Sequence, residues 1–192
     1  MNIFRMRKIF LFNMITLDGF FEGPSREIDW HKVDEEFNEF ALAQLNSTDL
    51  LLFGRVTYEL MANYWPTESA LIDDPIVANK MNMIPKVVFS KTLKKPEWNN
   101  TRLVKENIIE EVTTLKHQTG KDIAIFGSSD VAVTLMHAGL IDEYRIMINP
   151  VVLGNGKSIF NGVKDKYSLK LIRTKTFRSG NVLLYYQSDK KE

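Results

Sequence analysis

The chain of 192 residues contains no cysteine. That single absence excludes disulfides, thiolate metal centres and a cysteine nucleophile, and it fits a reducing compartment. Histidine is scarce: His31, His117 and His137 lie on separate segments without ligand spacing, so no metal site is expected. Neither sign of charge dominates, with 25 Lys and Arg against 24 Asp and Glu, and no basic run exceeds two residues. Nucleic acid and an anionic membrane surface are therefore not expected partners. No apolar stretch reaches the roughly 20 residues of a membrane span. The opening "MNIFRMRKIFLFNMITLDG" is interrupted by Asn13 and offers no small-residue cleavage site, so it reads as a buried strand rather than a signal peptide. The expected location is the cytoplasm. Repeats, low-complexity tracts and linkers are also missing, and the length suits one domain with one sizeable core.

What is present alternates between strand and helix patterns. Lys8–Ile15 is an apolar and aromatic strand, and Thr16–Trp30, with Gly19, Gly23 and Pro24, reads as a loop. Asp34–Asn46 spaces Phe37, Phe40, Ala41 and Leu45 as an amphipathic helix with acidic residues in its first turn. Asp49–Phe53 is a strand and Arg55–Tyr64 a helix ended by Pro66. Asp73–Met83 reads as one helix, with Asp73-Asp74 as its solvated start. Lys86–Ser90 and Thr101–Val104 are short strands; Ile108, Val112 and Leu115 line a helix ending at Gly120. Asp122–Phe126 is a strand, Val131, Leu135 and Met136 mark a helix ended by Gly139, and Asp142–Gly154 reads as one long strand. Alternating residues on both sides of Ser179-Gly180-Asn181 predict a closing hairpin, in which Tyr185-Tyr186 pack on the sheet. The order predicts an α/β domain, mostly parallel, with an antiparallel C-terminal edge.

Three predicted strand ends carry glycine or hydroxyl residues: Gly54-Arg55-Val56-Thr57, Ser90-Lys91 and Gly127-Ser128-Ser129. Ligands in open α/β sheets sit beyond the carboxyl ends of strands, and helix N-termini suit phosphate. Arg55 adds a planar fork of donors and Thr57 a hydroxyl. A strand–glycine–helix junction is also ordinary architecture, so the turns name no ligand. The dinucleotide G-x-G-x-x-G fingerprint is absent, and "LGNGK" at Leu153–Lys157 reads as turn geometry. Ser128-Ser129 lack the G-x-S-x-G context of a serine hydrolase. Asp18, between a strand and a glycine, suits either an Asx turn or a functional carboxylate. Trp30 suits either a substrate pocket or the core.

Two of these stretches resemble the dihydrofolate reductase-like superfamily: "NMITLDGFF" its first strand and loop, and "LLLFGRVTYE" its Gly-Arg-x-Thr turn. "IAIFGSSDVAVTLMHAGLIDEYRIMINPVVLGNGKSIF" resembles the C-terminal reductase domain of bifunctional riboflavin biosynthesis proteins. The resemblance implies a three-layer α/β/α reductase that binds NADPH and forms a homodimer, with the C-terminal edge strands available for pairing. It implies that Gly54, Arg55, Thr57 and Ser90 hold the 2′-phosphate and adenine side, and that Gly127, Ser128 and Ser129 hold the pyrophosphate. Asp18, Gly19 and Trp30 would lie at the substrate end, with Asp18 the catalytic candidate. The expected activity resembles that of a 5-amino-6-(5-phosphoribosylamino)uracil reductase. Dihydrofolate reductase is the alternative, although Ser128 replaces its second glycine, and Glu35, Glu36 and Glu39 lie in the region of its helix carboxylate without any one of them aligning with it. Ile125 stands where riboflavin-pathway reductases often place an acid, which leaves an NADPH-binding protein without catalysis as a third reading. No deaminase signature is present.

Overall fold

Strand β1 (Ile9–Thr16) is apolar on both faces, and that fixes its surroundings. Ile9 and Leu11 enter one core cluster, while Phe10 enters a second. The same alternation splits Leu50 and Leu52 from Leu51 and Phe53 in β3 (Thr48–Gly54), Val87 from Val88 in β4 (Lys86–Phe89), and Ile123 and Ile125 from Ala124 in β6 (Asp122–Phe126). Strands with two apolar faces need helices on both. Helices α5 (Ile108–His117) and α6 (Ser129–His137) cover the first face through Val112, Leu115, Val131 and Leu135. Helices α1 (Glu35–Asn46), α2 (Arg55–Tyr64) and α4 (Pro75–Met83) cover the second through Leu45, Tyr58, Val77 and Met81. Leu51, Leu52 and Phe53 are fully buried, each contributing about 1.5–3 kcal/mol by leaving water.

The computed structural model describes residues 6–189. The first five residues of the stretch weighed above as a signal peptide lie outside them. The main sheet has eight strands in the order β5-β4-β3-β6-β1-β7-β10-β9, with β5 at Thr101–Val104, β7 at Glu143–Asn149, β9 at Leu169–Thr176 and β10 at Val182–Ser188. Strands β5 to β7 in that order are parallel, and β10 runs antiparallel to both β7 and β9. This is the expected mostly parallel mixed sheet between two helical layers, closed by the expected hairpin. Among the described residues no helix is long and apolar enough to cross a membrane, and no cluster could hold a metal ion.

Three expectations need correction. The 16–30 segment is not all loop: β2 (Phe20–Glu22) pairs antiparallel with β8 (Lys157–Ser158), making a separate two-stranded sheet. The strand expected over 142–154 stops at Asn149, because Pro150 has no N–H to give the ladder. The helix expected over 73–83 starts only at Pro75, as α4, because a residue before proline avoids helical geometry, and a separate, unexpected helix α3 (Glu68–Asp73) precedes it. Asp74 is non-helical there (φ −147°, ψ 81°) and its carboxylate caps α4 by accepting from Val77 N–H at 3.0 Å.

Candidate functional site

Because β3, β4, β5 and β6 are parallel, their carboxyl ends share one edge of the sheet. A cleft of about 840 Å³ opens there, within the range of small-molecule sites. Its walls are the turns at 54–57, 89–91, 104–108 and 127–131, and its flap is Phe21, Glu22 and Lys157 from the two-stranded sheet. Seven residues expected to bind cofactor, Gly54, Arg55, Thr57, Ser90, Gly127, Ser128 and Ser129, all line it.

The helices divide by how they begin. Helices α1, α3 and α4 start away from the cleft, and Asp34, Thr67 and Asp74 cap them with side-chain oxygens. Helices α2, α5 and α6 start at the cleft, and Gly54, Asn107 and Ser128 give them no side-chain cap. Their first N–H groups are left for something else, and three helix dipoles add positive potential to the same space. Ser128 is a natural capping residue, yet its hydroxyl is committed sideways: it donates to the Phe126 carbonyl (3.1 Å) and accepts from Gly54 N–H (3.0 Å). It ties the two turns together and leaves the α6 N-terminus open. Thr57 braces the same junction, donating to the Gly127 carbonyl at 3.2 Å. Asn13 adds a third brace that the sequence reading did not find: its side-chain oxygen accepts from Gly127 N–H at 3.2 Å.

Charge follows the helices. Arg55, Lys91, Lys105 and Lys157 line the cleft, against Glu22, Glu106 and Asp130. Arg55 pairs with Glu59 one turn along α2, through Nη1 at 2.8 and 3.1 Å. Both side chains are half exposed, so this contact contributes little to stability. It aims the guanidinium while its other N–H groups stay available. Ser90 accepts from the N–H groups of Thr92 and Leu93 (3.1 and 2.9 Å), which shapes the turn after β4. Lys91, Lys105 and Lys157 went unassigned in the sequence because single lysines at strand ends look like solvated surface. Lys157 was read with its turn, and only the β2–β8 pairing brings it over the cleft.

Asp18, Gly19 and Trp30, expected at the substrate end, do not line this cleft. Asp18 accepts from the Thr16 hydroxyl (2.5 Å) and from the N–H groups of Leu153 and Gly154 (3.2 and 2.7 Å). The Thr16 hydroxyl above all, with the two N–H groups, holds its carboxyl below the ordinary value. An ionised carboxylate with both oxygens hydrogen-bonded holds two loops together, a structural role that stands beside the catalytic candidacy. Gly19 N–H closes the turn on the Thr16 carbonyl at 3.0 Å. Trp30 packs edge-on against His31, with ring centroids 4.5 Å apart. Burial pushes His31 down from 6.5 to about 4. Between those values the unfolded chain binds a proton that the folded chain refuses, so stability falls as pH drops through this window. The expected contribution is about 3 kcal/mol lost between pH 6.5 and 4. Urea titrations at pH 7, 5.5 and 4.5 should show His31→Phe lacking this part of the acid sensitivity.

A sequence profile of the RibD C-terminal domain matches residues 7–183. The chain belongs to the RibD C-terminal domain family. Its relatives include the uncharacterized protein YyaP of Bacillus subtilis, 37% identical over 187 residues, spanning 96% of this chain and 97% of YyaP. A second uncharacterized B. subtilis protein, YwjB, is 25% identical over 186 residues, spanning 95% and 99%. Among solved structures, a protein of Shewanella sp. PV-4 provisionally named for riboflavin biosynthesis superposes with a TM-score of 0.74 at 20% identity, over 95% of this chain and 99% of that one. A pyrimidine reductase-like protein of Corynebacterium diphtheriae gives 0.65 at 11% identity, over 96% and 93%. A Thermotoga maritima diaminohydroxyphosphoribosylaminopyrimidine deaminase/5-amino-6-(5-phosphoribosylamino)uracil reductase gives 0.69 at 13% identity, over 95% of this chain and 57% of that one. At these identities the structural matches establish the fold.

Proposed function

We propose that this protein is an NADPH-dependent reductase of a small polar substrate. The observation that carries the reading is the convergence of three uncapped helix N-termini on one cleft, while every helix that starts elsewhere is capped. Family membership supports it. A dinucleotide fits the residues present: backbone N–H groups and helix dipoles for the pyrophosphate, and separate cations for a further phosphate. The N–H groups at the start of α6 and α2 would hold the pyrophosphate between β6 and β3. Strands β4 and β5 lie on one side of that point, and β1 and β7 on the other. Lys91 and Lys105 follow β4 and β5, so the phosphorylated adenosine arm belongs there, with Arg55 and Ser90 beside it. The nicotinamide arm then runs toward the carboxyl ends of β1 and β7.

When bound, NADPH supplies a hydride to the substrate's C=N or C=O carbon. The protein's task is to fix the distance and orientation of the two reacting groups and to exclude water from between them. Asp18 is an ionised carboxylate committed to three hydrogen bonds, and water can supply the proton for the substrate heteroatom. Calorimetric titration of wild type and Arg55→Ala with NADPH and with NADH tests the reading. NADPH is expected to bind at least tenfold more tightly than NADH, and Arg55→Ala to lose about 1.5–3 kcal/mol toward NADPH alone. Equal binding of the two nucleotides would remove the 2′-phosphate assignment, and binding of neither would remove the reductase.

A further inference from the structure

The turn at Leu153–Lys157 carries one of the two Asn-Gly pairs in the chain, Asn155-Gly156; the other is Asn161-Gly162, and Asp18-Gly19 sets a side-chain carbonyl beside an unshielded glycine nitrogen in the same way. Such pairs can close a five-membered ring, in which the glycine nitrogen bonds to the preceding side-chain carbon. The three sites differ in how far the fold prepares that ring. Asn155 is exposed, and its Oδ1 accepts from Gly156 N–H at 2.9 Å, so the side-chain amide lies folded back on the nitrogen that must attack it. Among the described residues its side chain makes no other hydrogen bond. Both residues line a second cavity, of about 280 Å³, with Glu22, Arg26 and Lys157. Two cations against one carboxylate there favour a nitrogen that has lost its proton and the oxyanion that follows attack.

Neither other site has this arrangement. The Asp18 carboxylate is ionised and held by three donors, which makes it a poor electrophile, and Gly19 N–H already donates to the Thr16 carbonyl at 3.0 Å. Asn161 donates its backbone N–H to the Ser158 carbonyl at 3.2 Å, while its side chain has no partner among the described residues and lines neither cavity. At Asn155 the chemistry balances with water alone. Gly156 N loses its proton and bonds to Asn155 Cγ, the Cγ–Nδ2 bond breaks, and ammonia departs. Water then opens the succinimide ring at one of its two carbonyls. The product is aspartate, or isoaspartate with the main chain rerouted through Cβ.

Isoaspartate lengthens the backbone by one carbon at a place with no slack. A Cβ on Gly156 would already lie 2.5 Å from the Glu22 carbonyl oxygen and 2.9 Å from Phe20 Cβ, and β8 begins at the next residue. Strand β8 holds β2 through only two residue pairs, between which the register is irregular. Either product also sets a carboxylate two residues from Lys157, a cation of the cleft. We propose that Asn155 is a deamidation site and that its isoaspartyl product releases the flap from the cleft, lowering affinity for the cofactor. Only that last step rests on the reductase reading; the modification and the release of the flap do not.

The test ages the full-length protein at pH 8.5 and 37 °C and follows it by mass spectrometry after tryptic digestion. Cleavage after Arg145, Lys157 and Lys164 puts Asn155 in peptide 146–157 and Asn161 in peptide 158–164. Asn149, which shares the first peptide, precedes a proline whose nitrogen has no proton to lose. Peptide 146–157 is expected to exchange ammonia for water at least fivefold faster than peptide 158–164, with isoaspartate detected in it by enzymatic methylation. The aged protein, kept native, is expected to be cut by trypsin after Lys157 at least fivefold faster than fresh protein, and to bind NADPH at least tenfold more weakly. Asn155→Gln, whose ring would need a sixth member, is expected to keep its mass, its resistance to trypsin and its affinity through the same treatment. Equal rates in the two peptides overturn the modification site. Aged protein with Asn155 converted that is cut no faster than fresh protein overturns the release of the flap, and faster cutting with unchanged NADPH affinity overturns its link to the cofactor. Fresh protein that binds no NADPH counts against the reductase reading instead, and the peptide masses and cleavage rates still decide this inference.

Discussion

Gly127→Ala is expected to abolish measurable NADPH binding and to cost about 2–3 kcal/mol of stability. Two effects add. Gly127 has φ +64°, a left-handed conformation that costs an L residue about 1–2 kcal/mol. A Cβ there would also stand 3.1 Å from Thr57 Cγ2, with the Thr57 hydroxyl bonded to the Gly127 carbonyl and unable to swing clear without breaking that bond. Relief requires the turn to move, and the turn is what orients the α6 N-terminus and receives the Asn13 and Ser128 braces. Gly139→Ala separates the two effects. Its φ is +65°, but a Cβ there meets nothing within 4 Å, and it ends α6 at the far side from the cleft. It should lose about 1–2 kcal/mol in urea denaturation and bind NADPH like wild type. If Gly127→Ala also bound like wild type, the glycine turn would not be the pyrophosphate site.

The same two glycines show what a sequence can carry. Both were legible as the ends of a strand and a helix, because glycine after a periodic run is a local signal. That one of them faces a threonine 70 residues away was not, since the contact exists only once β3 and β6 pair side by side. The eight-stranded sheet was readable wherever burial on two faces left a continuous apolar run, as in β1, β3 and β6. It was misread where a single residue overrode the pattern, as Pro75 did in delaying the start of a helix and Pro150 in ending a strand. The strand-end turns were found by residue type. Their division into capped and uncapped helix starts was hidden, because Ser128 looks like a cap and is spent on Gly54 instead. The loop-tying bonds of Asp18 were hidden for the same reason: a carboxylate next to a glycine says nothing of the two N–H groups, 135 and 136 residues away, that it accepts from.

Gly156→Ala is expected to weaken NADPH binding at least tenfold while leaving the main core intact. The reason is the approach of two backbones. A Cβ at position 156 would lie 2.5 Å from the Glu22 carbonyl oxygen and 2.9 Å from Phe20 Cβ. Neither contact can be relieved by a side-chain rotation, so β8 must leave β2. That pairing rests on only Phe20 with Ser158 and Glu22 with Lys157, and the two strands form a sheet of their own apart from the eight-stranded one. Unzipping it should therefore cost only about 1–2 kcal/mol in urea denaturation. Its effect on the cleft is larger, because Phe21, Glu22 and Lys157 form the flap over the uncapped helix starts. Losing them removes one wall, one cation and the shelter that strengthens the remaining electrostatic contacts. Lys157→Ala removes the cation alone, so its loss of affinity should be smaller and should shrink as salt is raised. A Gly156→Ala protein with wild-type NADPH affinity would show that the flap is no part of the cofactor site, and Lys157 would then revert to the solvated turn residue that its sequence suggests.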